Sequence, residues 1–166
     1  MYYINLFFVF SLLGHIIEWF TYAKIDGGIL YGFWTPVYGL GVVTIVLINR
    51  FIDRFKLNKW FKALLLFLMC SIILALLELL GGYFIEEVFG RVFWNYKNQF
   101  GPIGKYTSLQ MMGVWGISSI ALVYLMIPYI NIMIKKIPKW ITYVLSVLFL
   151  IDLVYTFVML SDFKFW

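Results

Sequence analysis

The chain contains 166 residues, of which 64% are hydrophobic and 22% aromatic, with a mean hydropathy of +0.94 and a net charge of +5. This composition leaves too little polar surface to cover a soluble globule. A soluble helical domain would also interrupt its apolar stripes with charge at every turn, whereas residues 63–77 carry no charge. The sequence therefore predicts an integral membrane protein and excludes a soluble domain.

Five apolar segments approach the length of about 20 residues that a helix needs to cross a hydrocarbon core of about 30 Å. The second is the weakest, because Pro36, Gly39 and Gly41 crowd its start, and we expect it to be short, broken or re-entrant. The sequence thus predicts an all-α, polytopic membrane helix bundle that forms a single integral membrane domain over residues 1–166. The predicted spans lie near residues 2–23, 33–48, 63–84, 109–130 and 140–160.

The positions of the 13 Lys and Arg residues predict the orientation of the chain. The first segment has no basic residue before it and no cleavage site after it, so we expect it to remain as a helix rather than act as a signal peptide. The positive-inside rule places the N-terminus in the cytoplasm and the C-terminus outside a cell membrane that the chain crosses several times. Topology and lipid headgroups account for the net charge, so no nucleic-acid partner is expected. Eight cations share the side of the N-terminus (Arg50, Arg54, Lys56, Lys59, Lys62, Lys135, Lys136 and Lys139), and five lie opposite (Lys24, Arg91, Lys97, Lys105 and Lys164).

In this orientation, polar side chains of separate segments fall at a similar depth. Glu78 lies near the outer end of the third segment, and Asp152 lies past the midpoint of the fifth. An ionised carboxylate near the bilayer centre costs about 2.5 to 3.5 kcal/mol, so these groups should face the bundle interior or a water-filled opening. The sequence therefore predicts an acidic pocket that opens outward. One face of the first helix adds polar residues at helical spacing: Ser11, His15, Glu18 and Tyr22.

The same residues also have structural interpretations. His15 and Glu18 are spaced to hydrogen-bond each other, and Asp152 is placed to cap the backbone of the second helix. Glu78 is harder to explain in this way, because it has apolar neighbours on both sides. The glycine pair 81–82 follows it, where another part of the chain could approach closely.

The segment from Glu86 to Arg91 reads E-E-x-x-x-R and resembles the first motif of intramembrane proteases that process prenylated proteins. In those enzymes a glutamate activates water with histidines on later helices, whereas here the single histidine, His15, precedes the motif. Glu86 and Glu87 are also typical of solvated residues at a helix end. One His and one Cys leave a zinc ligand set incomplete, and the sequence has no nucleophile elbow, phosphate-binding loop or flavin fingerprint. We therefore predict no catalytic residue, no metal and no cofactor.

Two connectors on the outer side, residues 27–41 and 91–105, are rich in glycine and aromatic residues. This composition is typical of chain that turns at the membrane interface. Interfacial anchoring explains the rings but not the polar Arg91 and Asn95 among them. We expect Trp94, Asn95 and Tyr96 to close the mouth of the pocket.

Four groups of residues lie in order along residues 14–116. They are Gly14 and Glu18; Gly28, Leu30, Gly32, Pro36, Tyr38, Gly39 and Gly41; Glu78 and Gly82; and Trp94, Tyr96, Phe100 and Gly104. In this order and spacing the chain resembles the CmpB-like permeases, a family of type IV ABC-transporter membrane proteins. The family pattern has a Gly and a Glu in helix 1, a G-x-L-x-G-P-x-x-P-x-Y-G-x-G loop, Glu-x-x-x-Gly in helix 3, and W-D-Y followed by F-N-x-x-G.

Three positions depart from that pattern. Phe33 replaces the first proline of the loop, Asn95 replaces the Asp of W-D-Y, and Gly101 replaces the Asn after the Phe. If that Asp serves the function of the family, this chain is altered in that respect. The resemblance implies a helical fold and a transporter subunit. Because the chain has no nucleotide-binding motif, it also implies an ATPase or another transporter subunit as partner, besides membrane lipid.

We interpret the chain as a transporter membrane subunit that binds an unidentified small molecule, polar or cationic, from the outer side. Glu18 and Glu78 would supply charge, and His15 would handle a proton. One alternative is a non-catalytic assembly or regulatory protein whose buried polar groups only fix helix packing, and another is a glutamate-dependent intramembrane protease. The predicted ligand-binding residues are His15, Glu18, Tyr38, Glu78, Arg91, Trp94, Asn95, Tyr96 and Asp152.

Overall fold

The structure is a computed structural model that describes residues 1–22 and 29–162, with side chains described for residues 1–20 and 29–160. Within these ranges the chain forms a bundle of apolar helices and a short β-hairpin. Ala23 and Gly28, the cations Lys24 and Lys164, and the side chain of Tyr22 lie outside what is described. The elements are α1 (Tyr2–Tyr22), α2 (Pro36–Ile52), α3 (Lys59–Phe89), β1 (Pro102–Ile103), β2 (Thr107–Ser108), α4 (Leu109–Ala121), a π-helical turn (Leu122–Met126), α5 (Ile127–Ile134) and α6 (Lys139–Asp162).

Four helical stretches of the described chain are long and apolar enough to cross a membrane. Large apolar side chains remain exposed along them, including Phe20, Leu80 and Val154. Water would not solvate such a surface, whereas lipid does. The predicted all-α membrane bundle is therefore confirmed. The four stretches are Tyr2–Phe20, Lys59–Phe89, Leu109–Ile134 and Lys139–Leu160.

The remaining apolar helix, α2, is short as expected. Its 17 residues extend about 25 Å, less than the hydrocarbon thickness of about 30 Å. Pro36 occupies its first turn, where backbone N–H groups have no intrahelical acceptor, so the N–H that proline lacks is not needed. The helix is continuous rather than broken. Gly39 does not turn the chain; its missing side chain lets α1 pack closely against α2. A Cβ at Gly39 would overlap Ser11 and the backbone of Phe7 on α1.

The longest helix, α3, extends at both ends beyond the predicted 63–84. The side chain of Asn58 caps its first turn by accepting a hydrogen bond from the Phe61 N–H at 2.7 Å. Gly90 ends it in the left-handed conformation, with φ of 65°, which glycine adopts without strain. Hydropathy thus located the apolar centre of the helix, while Asn58 and Gly90 set its ends.

Pro128 explains the π-helical turn between α4 and α5. Proline has no N–H to offer the carbonyl of Tyr124 one turn earlier, and its ring crowds that carbonyl. The backbone widens instead, and the Ile127 N–H bonds to the Leu122 carbonyl, five residues back. The helices on both sides still form one candidate span, over Leu109–Ile134.

The bundle has two chemically different ends. At the basic end, residues 49–62 and 131–142, Arg50 donates to the Tyr3 hydroxyl at 2.6 Å and Thr142 donates to Asn5 at 2.6 Å. The connector end comprises residues 29–35 and 90–108, which link α1 to α2 and α3 to α4. The predicted ligand-binding residues lie toward the connector end.

Candidate functional site

Glu78 is a buried acidic residue on α3, with 7% of its surface exposed. Its Oε1 accepts a hydrogen bond from the Tyr96 hydroxyl at 3.0 Å. Its Oε2 accepts from the Trp115 indole N–H at 3.3 Å and from the Thr107 hydroxyl at 3.4 Å. All three donors are uncharged side chains. They solvate the carboxylate within the bundle without supplying an opposite charge.

A small hairpin brings two of these donors to Glu78. Strands β1 and β2 pair antiparallel, and two glycines beside β1, Gly101 and Gly104, take φ angles of 62° and 67°. Glycine adopts these left-handed conformations without strain, and the two turns direct the chain back toward α3. The Tyr96 N–H then bonds to the Lys105 carbonyl at 2.8 Å, which fixes Tyr96 beside the hairpin.

Gly82, one turn after Glu78, provides a flat surface for the connector. The ring of Tyr106 lies directly on it, and a Cβ at Gly82 would overlap that ring. Tyr106 is 1% exposed and makes edge contacts with Tyr83 and Trp94, at centroid distances of 5.1 and 5.6 Å. The Trp94 indole N–H also donates to the Tyr106 carbonyl at 3.3 Å. The Glu-x-x-x-Gly motif therefore supplies both a carboxylate and the surface on which an aromatic connector packs.

Glu86 anchors the same connector two turns further along α3. It forms an ion pair with Lys105 and accepts a hydrogen bond from the Tyr106 hydroxyl at 2.7 Å. Burial, followed by the neighbouring Glu86 carboxylate, raises the pKa of Tyr106 to about 12. The sequence predicted that at least one of Glu86 and Glu87 is a solvated residue at a helix end; Glu86 instead contacts the connector, and Glu87 is exposed. In the E-E-x-x-x-R segment, Glu86 holds Lys105 and Tyr106.

The polar face of α1 contacts the segment before α2. Glu18 accepts a hydrogen bond from the Thr35 hydroxyl at 3.2 Å, and the His15 ring packs edge-on against Phe33 at 5.4 Å. Within the described residues, Ser11 Oγ and His15 Nδ1 are buried atoms without a hydrogen-bond partner. The Ser11 carbonyl accepts from the Thr35 N–H at 3.0 Å. Glu18 therefore pairs with the connector rather than with His15.

Asp152 on α6 holds the backbone of the first connector. Both of its carboxylate oxygens lie 3.1 Å from the Gly32 N–H, and Thr156 donates to Oδ1 at 3.4 Å. The hydroxyl of Thr156 in turn accepts from the Tyr31 N–H at 3.3 Å. The sequence suggested that Asp152 caps the backbone of α2. The structure places its carboxylate on the Gly32 N–H, a few residues before α2 begins. An apolar cavity of about 490 Å³ borders Asp152, Gly32 and Trp34.

The structure gives Glu18, Glu78 and Asp152 three separate sets of hydrogen-bond donors. Of the other predicted residues, Tyr96 contacts Glu78 directly, and Trp94 contacts Tyr106, which packs on Gly82 one turn after Glu78. The remainder have other neighbours: Tyr38 packs on Gly14, Arg91 is exposed, and Asn95 is an exposed turn residue.

Sequence reasoning missed two donors to Glu78, namely Thr107 and Trp115. Their contact with Glu78 depends on the path of the connector, which no local pattern encodes. The available signal was chemical: a buried carboxylate needs donors, and a buried Trp needs an acceptor for its indole N–H.

Membrane-length helices around a carboxylate covered by an aromatic connector define a multi-pass membrane protein. The chain belongs to the family described as "Putative ABC-transporter type IV", whose family model matches residues 5–159. The match confirms the resemblance to the CmpB-like permeases and covers most of the chain. No curated protein and no solved structure matches it. Membership in a transporter family points to association with other transporter subunits and away from an enzyme.

Two departures from the family pattern preserve local backbone roles. The Asn95 side chain accepts a hydrogen bond from the Lys97 N–H at 2.9 Å, a turn contact that Asp makes equally well. Gly101 has φ of 62°, a conformation in which Asn is among the favoured alternatives to glycine. Both exchanges therefore keep the shape of the connector.

Proposed function

We propose that this chain is the membrane subunit of an ABC transporter and that Glu78 binds a small polar or cationic ligand from the connector end. The observation that carries the proposal is the environment of Glu78: a buried carboxylate in a membrane helix, hydrogen-bonded by three neutral side chains. Buried acidic groups in membrane helices are costly, and they commonly mark ligand or ion paths. A cation would add the opposite charge that the three donors do not provide.

The side chains around Glu78 favour a cation among polar ligands. Tyr96 and Trp115 contact the carboxylate through the O–H and N–H at their ring edges, and rotation of these side chains would turn ring faces, which attract cations, toward the site. Both side chains reach Glu78 through rotatable torsions, so they can turn aside without unfolding a helix. In this proposal Trp94 and Tyr96 close the site, while Arg91 and Asn95 lie on the exposed entrance.

The residues of α1 and α6 frame the same end of the bundle. We propose that Glu18 adds negative charge near the entrance and that His15, with its buried Nδ1, exchanges a proton there. Tyr38 keeps α2 against Gly14, and Asp152 fixes the first connector.

Charge distribution supports an orientation and a partner. Eight of the 13 Lys and Arg residues lie at the basic end, which favours a cytoplasmic N-terminus in the cell membrane. The chain would form one membrane domain, and its basic end would meet the ATPase that energises transport. Copurification with an ATPase under mild detergent would support this assignment. A monodisperse protein without a stable partner would count against it.

The binding proposal is tested by thermal unfolding of the detergent-solubilised protein with choline, putrescine or Na⁺. A ligand at 100 times its Kd stabilises the folded state by about 2.7 kcal/mol, so at least one probe should raise the unfolding midpoint. Glu78→Gln should remove that response while the protein remains folded. The matched control is Glu87→Gln, the same substitution at an exposed position of α3, which should keep the response.

The packing alternative has its own support in the structure. The three bonds to Glu78 join α3 to the connector and α4, and the Thr142 to Asn5 bond joins α6 to α1. Under this alternative Glu78→Gln would lower the unfolding midpoint, and no cation would stabilise the unaltered protein. The binding proposal and the packing alternative therefore predict different responses of the unaltered protein to cations.

A further inference from the structure

A second cavity, of about 390 Å³, opens at the basic end and shares no residue with the Glu78 site. Three elements form its wall: the end of α2, the start of α3 and the π-helical turn. The lining side chains used below are Asn49, Asp53, Lys59, Lys62, Val123 and Tyr124.

The wall of this cavity carries excess positive charge. The carboxylate of Asp53 is already satisfied, since Lys62 lies 2.8 Å from Oδ1 and the Asn49 amide donates to Oδ2 at 3.1 Å. Lys59 instead lies over the ring of Tyr124, with its Nζ 5.7 Å from the centroid. A cation held by an aromatic face keeps most of its capacity to bind an anion. The exposed Arg54, in the adjoining connector, adds to the positive potential.

The π-helical turn gives the cavity part of its shape. It places Val123 and Tyr124 in the wall, opposite the lysines of α3. Pro128 forces the turn, as described above, so the widened backbone is a fixed feature of this span. Such turns are frequent at functional sites.

The surroundings indicate which kind of anion would reach the cavity. Trp60 is 86% exposed and Phe61 is 50% exposed, and both lie between Lys59 and Lys62 at the start of α3. Exposed aromatic residues beside lysines at a helix end are typical of the headgroup region of a bilayer. An anion with acyl chains attached therefore fits this position better than one dissolved in water.

We propose that this cavity binds the phosphodiester headgroup of an anionic phospholipid, with Lys59 and Lys62 contacting phosphate oxygens. Lys59 supplies the uncompensated charge, and Lys62 bridges the phosphate to Asp53. Trp60 and Phe61 lie against the acyl chains. The site is distinct from Glu78 and stands whether or not Glu78 binds a ligand.

The test is native mass spectrometry of the detergent-solubilised protein titrated with phosphatidylglycerol, with phosphatidylcholine and with glycerol phosphate. Phosphatidylglycerol should bind at least tenfold more tightly than either of the others. Equal binding of phosphatidylcholine would overturn the proposal, because the positive charge would then not select the lipid. Binding of glycerol phosphate as tight as that of the lipid would overturn the lipid source.

Charge variants locate the binding to this cavity. Lys59→Ala should weaken phosphatidylglycerol binding about fivefold, and Lys59→Arg, which keeps the charge, should restore it. The matched control is Lys136→Ala, which removes one exposed cation from the same end but outside the cavity. Equal losses for Lys59→Ala and Lys136→Ala would show a general surface attraction and contradict the proposed site.

Discussion

Glu78 and Asp152 both place a carboxylate within an apolar helix, but the structure holds the two groups in different ways. Asp152 accepts from the backbone N–H of Gly32 and from Thr156 of its own helix. Glu78 accepts from three side chains that belong to the connector, β2 and α4.

This difference distinguishes a carboxylate with a structural role from one whose hydrogen-bond donors can give way to a ligand. A backbone donor leaves its acceptor only when the loop itself moves, so Asp152 fixes the first connector. Side-chain donors leave by rotation about their torsions, so the shell of Glu78 can open while the helices stay in place. We therefore assign structure to Asp152 and propose binding at Glu78.

The largest predicted effect comes from filling the space on α3 that the connector of residues 90–108 packs against. Gly82→Ala places a methyl group in the Tyr106 ring and should lower the free energy of unfolding by about 1 to 3 kcal/mol, measured by thermal or denaturant unfolding. Gly81→Ala is the matched control, because a Cβ there meets no atom within 4 Å. Equal effects of the two substitutions would show that Tyr106 does not pack on Gly82.

Asp152→Asn tests the structural side of the comparison. The amide still accepts from Gly32 but loses its charge, so stability should fall by about 1 kcal/mol. The response to cations should persist, opposite to the result expected for Glu78→Gln. Loss of the cation response in Asp152→Asn with unchanged stability would reverse the two assignments.

Thr156→Val should have a smaller effect, of about 0.5 kcal/mol, because the volume is retained and only the hydroxyl is lost. That hydroxyl links Tyr31 to Asp152. Ser146→Ala on the same helix removes a hydroxyl that bonds only within α6 and serves as the reference. An unfolding midpoint above that of the reference variant would show that the link does not stabilise the connector.

The last effect is absent at neutral pH and appears only at alkaline pH. The pKa of Tyr106 is raised by burial to about 12, so the folded protein retains the phenol proton above the ordinary pKa of about 10. Stability from Tyr106 should be intact below pH 10 and decline as the pH rises toward 12. Tyrosinate absorbance should show a late-titrating component that Tyr106→Phe reduces by one group. Identical titrations of the two proteins would contradict the buried position of Tyr106.

The sequence predicted the features that depend on hydropathy and failed at those that depend on the path of the chain. Apolar length located the spans, and Glu78 was distinguished from its surroundings by the cost of burying charge. The hairpin was missed because strands of two residues, Pro102–Ile103 and Thr107–Ser108, show no alternating pattern.

The composition of the site was only partly predictable for the same reason. Tyr96 was identified from the polar and aromatic character of its connector, whereas Trp115 resembled any other aromatic residue of an apolar helix. Gly39 suggested a broken helix, since sequence does not show whether a glycine bends the chain or admits a neighbour. Its contact with Ser11 decides the question.

The central claim is that Glu78 holds a small molecule. Native mass spectrometry of the protein, purified in mild detergent from cells, tests it most directly. The account predicts an additional small mass on the parent chain and on Asp152→Asn that is absent from Glu78→Gln. Identical spectra for all three proteins would contradict it.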